Sequence, residues 1–170
     1  MARYTNAGGW HRNFGFWVTL VYRFGSWACR IRPSIVGLPF RALHGILAIP
    51  IRIFFHVYLP SKTIIGPGLS LPHPHLILIP PESEIGPSCT IYHNVTLGHG
   101  TIPGVPKLAN NVVAFTGAKI LGGIHIGEHA HIGVNAVTMR NVEPGVMVSM
   151  PLCRAIPMFK ARVTDCASNK

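Results

Sequence analysis

Residues 64–100 read IIGPGLSLPHPHLILIPPESEIGPSCTIYHNVTLGHG, and residues 106–139 read PKLANNVVAFTGAKILGGIHIGEHAHIGVNAVTM. Aliphatic residues recur here every six positions, often with a glycine directly after them. The recurring positions, with a two-residue slip after Ile77 and a break after Leu97, are Ile65, Leu71, Ile77, Ile79, Ile85, Ile91, Leu97, Leu108, Ala114, Ile120, Ile126 and Ile132. This period indicates a repeat in which each unit is one short strand and one turn.

A unit of this kind cannot bury its aliphatic residue alone, whereas stacked units bury one continuous column. Three strands would complete one triangular coil, so we predict a mainly β fold of stacked coils over residues 61–150. The break between Leu97 and Leu108 spans eleven positions where six are expected. The segment 99–107, HGTIPGVPK, is therefore predicted to leave the stack as a loop, where functional residues often concentrate.

The first 60 residues have a different composition, with seven arginines, all three tryptophans and no acidic residue. Their apolar and aromatic residues predict amphipathic helices around residues 14–31 and 38–58, separated by Pro33 and Pro39. The longest apolar run, residues 35–59, is interrupted by prolines, arginines and histidines. We expect it to lie on a membrane or pack on the domain, not to cross a bilayer.

The whole chain has 15 Lys and Arg residues against 5 Asp and Glu. Such an excess favours a polyanionic partner, either nucleic acid, an anionic membrane surface or a phosphorylated cofactor. The apolar content of 48% excludes a disordered chain. The four cysteines contain no CxxC pair, which is typical of unlinked thiols.

The two quoted stretches resemble the hexapeptide-repeat acyltransferases over about residues 61–157. Their most specific elements are VTLG at residues 95–98 and GAKILGGIHIG at residues 117–127. The resemblance is to the serine acetyltransferase-like branch, and VYRFGSWA at residues 21–28 is similar to its relatives in capsule, colanic-acid and exopolysaccharide biosynthesis.

This resemblance implies a left-handed parallel β-helix that forms a homotrimer, with acetyl-CoA bound in clefts between subunits and no metal required. The change of composition along the chain predicts three segments: a helical segment 1–60, which its charge and amphipathicity would allow to associate with a membrane, the acyltransferase domain 61–150 and a tail 151–170. The favoured function is O-acetyl transfer to a hydroxyl of a sugar or polysaccharide precursor, and the expected location is the cytoplasm, peripheral to the inner membrane.

Acetyl transfer to a hydroxyl needs a base, and imidazole is the side chain most often used for this. His73 ends the stretch IGPGLSLPH, which is similar to the segment that carries the family's catalytic histidine. His93 follows Ile91 as His73 follows Leu71, so the two rings are expected to stack on one face. His75 falls four positions after Leu71, where a buried structural histidine is expected.

The chain departs from the serine acetyltransferase pattern at several positions. Tyr58 stands where the family has the Asp that orients the catalytic base. Pro72 stands where the family has a second Asp, directly before the base. Gly104 and Val105 replace the Arg-His pair of the loop. The resemblance implies that the family residues missing at these positions bind serine. Their absence from this sequence therefore favours an acceptor other than serine. Tyr58 and His99 are retained as candidate acceptor contacts.

Candidate cofactor contacts are the small residues Gly117 and Ala118, which allow a close approach of pantetheine, and cationic residues that suit the phosphates of coenzyme A. The cationic candidates are Lys119, Arg154 and Lys160.

Three alternatives remain open at this point. The first is serine acetyltransferase-like acetylation of a small molecule. The second is a metal enzyme similar to the gamma-type carbonic anhydrases, because VTLGH at residues 95–99 is similar to one of their ligand segments. The third is a non-catalytic scaffold docked through the N-terminal segment. The arginines lie among apolar residues, and the sequence has no recognised nucleic-acid-binding motif, which argues against nucleic acid as the partner.

Overall fold

The computed structural model describes residues 14–151. Two helices, α1 (Phe14–Arg30) and α2 (Ser34–Phe54), precede a series of short strands. The strands are β1 (Ile64–Ile65), β2 (Glu84–Ile85), β3 (Thr90–Ile91), β4 (Thr96–Gly98), β5 (Lys107–Leu108), β6 (Val113–Ala114), β7 (Lys119–Leu121), β8 (His125–Ile126), β9 (His131–Ile132), β10 (Val137–Thr138) and β11 (Met147–Val148).

These strands form three parallel sheets, which are the three faces of a triangular solenoid of about four turns. The first face has the order β1-β2-β5-β8, the second β4-β7-β10 and the third β3-β6-β9-β11. Isolated parallel bridges extend the second face toward the N-terminal end of the solenoid, where Thr96 pairs with Leu78 and Leu78 pairs with Tyr58. Each coil therefore pairs only with the coil before it and the coil after it.

The recurring aliphatic positions of the sequence form the core of the solenoid. All twelve are buried, from Ile65 at 7% exposure to Ile132 at 0%. In the register, Ile85 lies under Ile65 and Leu108 under Ile85, so the side chains form continuous columns. Full burial of an Ile or Leu side chain contributes about 1.5–3 kcal/mol. The prediction of a mainly β fold of stacked coils is confirmed.

Two corners of the triangle consist of residues with left-handed backbone conformation, stacked in columns. One column is His56, Leu76, Asn94, Gly117 and Asn135, and the other is Gly68, Ser88, Asn111, His129 and Gly145. The amide of each residue below the top donates to a carbonyl of the coil above, as Asn94 does to His75 at 2.8 Å. Asparagine and glycine occupy this conformation at least cost, which explains their recurrence.

Helix α1 packs one face against α2 and the first coil. The buried residues follow a helical period and are Gly15, Val18, Tyr22, Gly25 and Ala28. The Tyr22 hydroxyl donates to the carbonyl of Thr63 at 2.6 Å. The Arg23 guanidinium donates to the carbonyl of Ile65 at 2.7 Å and also to that of Gly66. These bonds fix α1 to the first coil.

Helix α2 begins and ends earlier than predicted and contains Pro39 and Pro50 in its interior. The expected break at Pro39 is therefore wrong, and the helices separate at residues 31–33. Pro39 lies in the second turn, where it removes one amide donor and its ring crowds one carbonyl of the first turn. By length and apolar composition α2 could cross a membrane over residues 35–54, and few residues of this stretch are buried in the protein.

The predicted loop occupies residues 99–106, and its last predicted residue, Lys107, belongs to β5. The Lys107 ammonium lies 2.6 Å from a carboxylate oxygen of Glu84 in the preceding coil. This register holds Lys107 in the stack because its neighbour Leu108 fills the core beneath Ile85. The segment boundaries at residues 60 and 150 stay predictions.

Candidate active site

The two-residue slip in the repeat lies at the corner between the third and second faces. In the second coil, three positions separate Ile91 from the left-handed residue Asn94, whereas five separate Leu71 from its counterpart Leu76 in the first coil. The corner that follows Leu71 is thus two residues longer than the corner below it. The enlarged corner consists of residues 72–76, and His73 lies within it.

The enlarged corner places His73 beside His93 of the coil below. Their ring centroids are 6.1 Å apart and the ring planes are inclined at 71°. The predicted proximity of the two imidazoles is observed, but the rings meet edge to face and are not stacked. The side chain of His73 is exposed and that of His93 is half-buried. Both catalytic assignments stay predictions.

His75 does not occupy the buried position that the repeat predicted. Its side chain is exposed and lies against His56 and Phe55, with ring centroids 5.8 Å and 6.4 Å away. The prediction is wrong because the two additional residues move the buried position from His75 to Ile77, which is 1% exposed. The amide of Leu78 accordingly donates to Val95, the residue that fills this position in the next coil.

His93 is held by its backbone, because its carbonyl accepts a hydrogen bond from the amide of Gly117 at 3.1 Å. The Nδ1 atom of its imidazole is buried and has no hydrogen-bond partner among the residues that the structure describes. Buried polar atoms are rarely left in this state in folded proteins. The hydrogen bonding of the His93 ring is thus incomplete within residues 14–151, and the repeat gives no sign of this feature.

No carboxylate orients His73 among the residues that the structure describes. The ion pairs in this part of the chain join Lys107 to Glu84 and His129 to Glu128, and neither includes His73. Tyr58, the candidate acceptor contact, lies on the second face, and the Arg52 guanidinium is 5.5 Å from its ring centroid. Its backbone pairs with Ile77, which ties it to the coil that carries the enlarged corner.

The three described candidates for coenzyme A binding adjoin the histidine corner one coil further along. The Gly117 amide donates to His93, and both the amide and the carbonyl of Ala118 are bonded within the coils. The Lys119 ammonium donates to the carbonyl of Asn94 at 2.9 Å, to its side-chain oxygen at 3.1 Å and to the Thr96 hydroxyl at 3.0 Å. Lys119 therefore joins two coils, and a phosphate would compete with these acceptors.

The other predicted contacts lie apart from this corner or beyond the described range. His99 is exposed at the start of the loop. Arg154 and Lys160 lie outside the described residues. A cavity of about 360 Å³ lies between α1 and the first coil, lined by Phe16, Thr19, Leu20, Arg23 and residues 67–69, and includes none of the predicted site residues.

Within residues 14–151, no group of three or more His, Cys, Asp or Glu side chains is arranged to hold a metal ion.

No protein-family model matches the chain. It is 38% identical over 100 residues to serine acetyltransferase from Mycobacterium tuberculosis, covering 57% of this chain and 44% of that protein. It is 33% identical over 162 residues to serine acetyltransferase from Synechococcus elongatus, covering 89% of this chain and 64% of that protein. The chain thus spans about half to two thirds of the length of these curated relatives.

Solved structures with the same fold include soybean serine acetyltransferase complexed with serine, at a TM-score of 0.68, 29% identity and coverage of 80% of this chain and 54% of that one. A serine acetyltransferase complexed with CoA matches at a TM-score of 0.65 and 28% identity, covering 78% of this chain and 53% of that one. The solenoid is therefore a left-handed β-helix, as predicted.

The predicted sugar or polysaccharide acceptor is wrong. The relatives that match the chain are serine acetyltransferases, including those that cover most of it. This similarity favours the alternative of small-molecule acetylation, and it does not support the polysaccharide branch of the resemblance. The chain combines a left-handed β-helix of hexapeptide repeats with sequence similarity to the serine acetyltransferases.

Proposed function

We propose that the chain is an acetyl-CoA-dependent O-acetyltransferase of the serine acetyltransferase type, with His73 as its general base. The observation that carries the proposal is the enlarged corner, which presents an exposed imidazole beside a second one, 6.1 Å away between centroids. The similarity to a serine acetyltransferase solved with CoA supports the donor. Acetyl-CoA is a thioester and is already activated for transfer.

In this mechanism the His73 imidazole accepts the proton of the acceptor hydroxyl as the oxygen attacks the acetyl carbonyl carbon. The new ester bond forms, the carbon–sulfur bond breaks, and the proton passes from the imidazolium to the departing thiolate. A positioned base of this kind contributes about 10²- to 10⁴-fold in rate. His93 would contact the acceptor or the donor beside it.

We propose serine, or a small hydroxy compound like it, as the acceptor. The relatives that match the chain support this choice, and so does the solved complex with serine. The absence of a carboxylate at Tyr58 and Pro72 leaves a backbone carbonyl as the group that would orient His73.

The test is release of free thiol from acetyl-CoA with L-serine as acceptor, using the native chain and two variants. We expect His73→Asn to lower kcat about 10²- to 10⁴-fold. His129→Asn is the matched control, because His129 has a left-handed backbone that asparagine adopts readily. Equal activity of native and His73→Asn protein would contradict the assignment.

We also propose that three chains assemble through the faces that adjoin the histidine corner. Leu78 and Val137 are about half exposed on the second face, with Tyr58 at its upper end. Exposed apolar side chains aligned on one face suit contact with another copy. In such a trimer a neighbouring chain would cover the His73–His93 pair and complete the cleft.

A further inference from the structure

The two helices present a continuous apolar surface that the rest of the described chain leaves uncovered. On α2 the side chains of Ile35, Leu38, Ile46, Ile49, Ile53 and Phe54 are 52% to 83% exposed. On α1 the rings of Trp17 and Trp27 are also about half exposed. Trp27 meets Phe40 of α2 edge to face at 5.4 Å, which joins the two helices into one surface, called here the helical apolar surface.

The charge around this surface has one sign. The first acidic residue of the sequence is Glu82, so neither helix carries a carboxylate. Arg30 and Arg32 are exposed at the turn between the helices. Two copies meeting helix to helix would bring together two surfaces of the same positive charge, whereas anionic lipid headgroups would attract each arginine by about 1 kcal/mol.

The contacts of α2 argue for an orientation along a membrane and not across it. Its 21 residues give a length of about 31 Å, comparable to the hydrocarbon thickness of a bilayer. The Arg41 side chain, however, donates to the carbonyls of Ala28 and Cys29 at the end of α1. His44 lies 3.3 Å from the Ser61 hydroxyl. The middle of α2 is thus joined to polar groups of the protein.

Helix α1 in turn is fixed to the first coil through Tyr22 and Arg23. The helices therefore lie against the β-helix on one side and expose apolar side chains on the other. Exposed tryptophans and arginines around an apolar helix face are typical of helices that bind in the interfacial layer of a bilayer.

We propose that the helical apolar surface docks the protein on an anionic lipid surface, with α2 parallel to the membrane plane. Such docking would account for the location predicted from the sequence, at the cytoplasmic face of the inner membrane. The proposal does not depend on the catalytic function, because none of the residues involved belongs to the histidine corner.

The experiment is flotation of the purified full chain with vesicles of phosphatidylcholine alone or of phosphatidylcholine mixed with phosphatidylglycerol. We expect binding to the mixed vesicles that weakens with added salt. The double variant Ile46→Asp, Ile49→Asp should bind them at least about tenfold more weakly, because it places charge at the apolar boundary. Met147→Asp is the matched control, since Met147 is 60% exposed on the last coil.

A second variant tests the charge without changing the apolar residues. Arg30→Gln combined with Arg32→Gln should reduce the preference for mixed vesicles and leave circular dichroism unchanged. Failure of the native chain to bind, or equal binding to both kinds of vesicle, would overturn the proposal. If the bound native chain resisted extraction from the mixed vesicles with alkaline carbonate, this would contradict an α2 that lies parallel to the membrane plane and would favour an α2 that spans the bilayer. A lower assembly mass of the aspartate double variant without lipid would identify a second copy as the occupant.

Discussion

At the scale of single residues, the spacing between coils leaves no room for a side chain at several glycines. A Cβ atom at Gly86 would lie 2.6 Å from the carbonyl carbon and oxygen of Ala109 in the next coil. Because those are backbone atoms, the coils would have to separate. The Ile-Gly pattern of the sequence is therefore a consequence of stacking at strand distance.

We predict that Gly86→Ala lowers the free energy of unfolding by about 1–3 kcal/mol, as overpacking of a close contact does. Gly45→Ala is the control, because Gly45 lies in α2 and, apart from its own helical backbone, no atom of the described residues lies within 4 Å of the added Cβ position. That substitution should raise stability slightly, by about 0.5–1 kcal/mol, through helix propensity. Thermal unfolding measures both, and an unchanged Tm for Gly86→Ala would contradict the packing argument.

The buried positions of the coils could be predicted from the sequence, whereas the environment of His75 could not. The positions of Ile65 to Ile132 follow from the period alone, because every coil buries the same positions. The exposure of His75 could not be predicted from the period, since the length of a corner is independent of the strands it joins. The slip was visible between Ile77 and Ile79, but placing it inside the corner of His73 required the backbone.

At the scale of elements, α2 carries a histidine whose ionisation is linked to its packing. The pKa of His44 is lowered from its ordinary value of 6.5, first by burial and then by the positive charge of Arg52. The unfolded chain therefore binds the proton more readily than the folded chain does. Stability from this group is present above about pH 6.5 and falls as the pH decreases below that value.

We predict that the Tm of the native chain decreases between about pH 7.5 and pH 5, and that His44→Gln shows a smaller decrease over the same range. The glutamine amide retains a donor near Ser61 but does not titrate. Differential scanning fluorimetry across this range makes the comparison. Parallel Tm profiles for the two proteins would show that protonation of His44 is not linked to folding.

The helices also show a limit of propensity arguments. The sequence predicts a break at Pro33 and Pro39, yet Pro39 lies inside α2, as does Pro50. Each removes one backbone donor, and the apolar residues on either side continue the same helix. The presence of proline alone does not locate the end of a helix. The residues around Pro39 and Pro50 do not favour a turn over the helix, so the helix continues through both.

At the scale of the whole molecule, the proposed trimer can be tested apart from catalysis. We predict a native mass of three times the 18.5 kDa of one chain. Val137→Asp on the second face should shift the mass toward a single chain and reduce activity, because charge would enter an apolar contact. Light scattering after gel filtration measures the mass.

Ile64→Asp is the matched control for this substitution. Ile64 is 66% exposed on the first face, which does not adjoin the histidine corner. The control should keep the native mass. A native mass of one chain, or an unchanged mass for Val137→Asp, would contradict the proposed assembly.

The acceptor was the feature least accessible from sequence. The repeat determines the coils, and the long corner determines where His73 is presented, but acceptor binding depends on a few side chains at the corner. The departures at Tyr58 and Pro72 argued against serine, whereas the relatives that match the chain are serine acetyltransferases. Substitutions at individual positions are weak evidence when the surrounding segment retains its similarity.

The attachment of α1 has a further consequence, for self-association. A β-helix ends in strands whose outer backbone groups have no further coil to pair with, and such edges can add to one another without limit. The carbonyl of Ile65 in β1 and that of Thr63 directly before β1 are groups of this kind, and they accept hydrogen bonds from Arg23 and Tyr22, respectively. The first helix thus blocks end-to-end polymerisation. Removal of the residues before Gly25 would expose these carbonyls at the N-terminal end of the solenoid and allow fibres to grow from it.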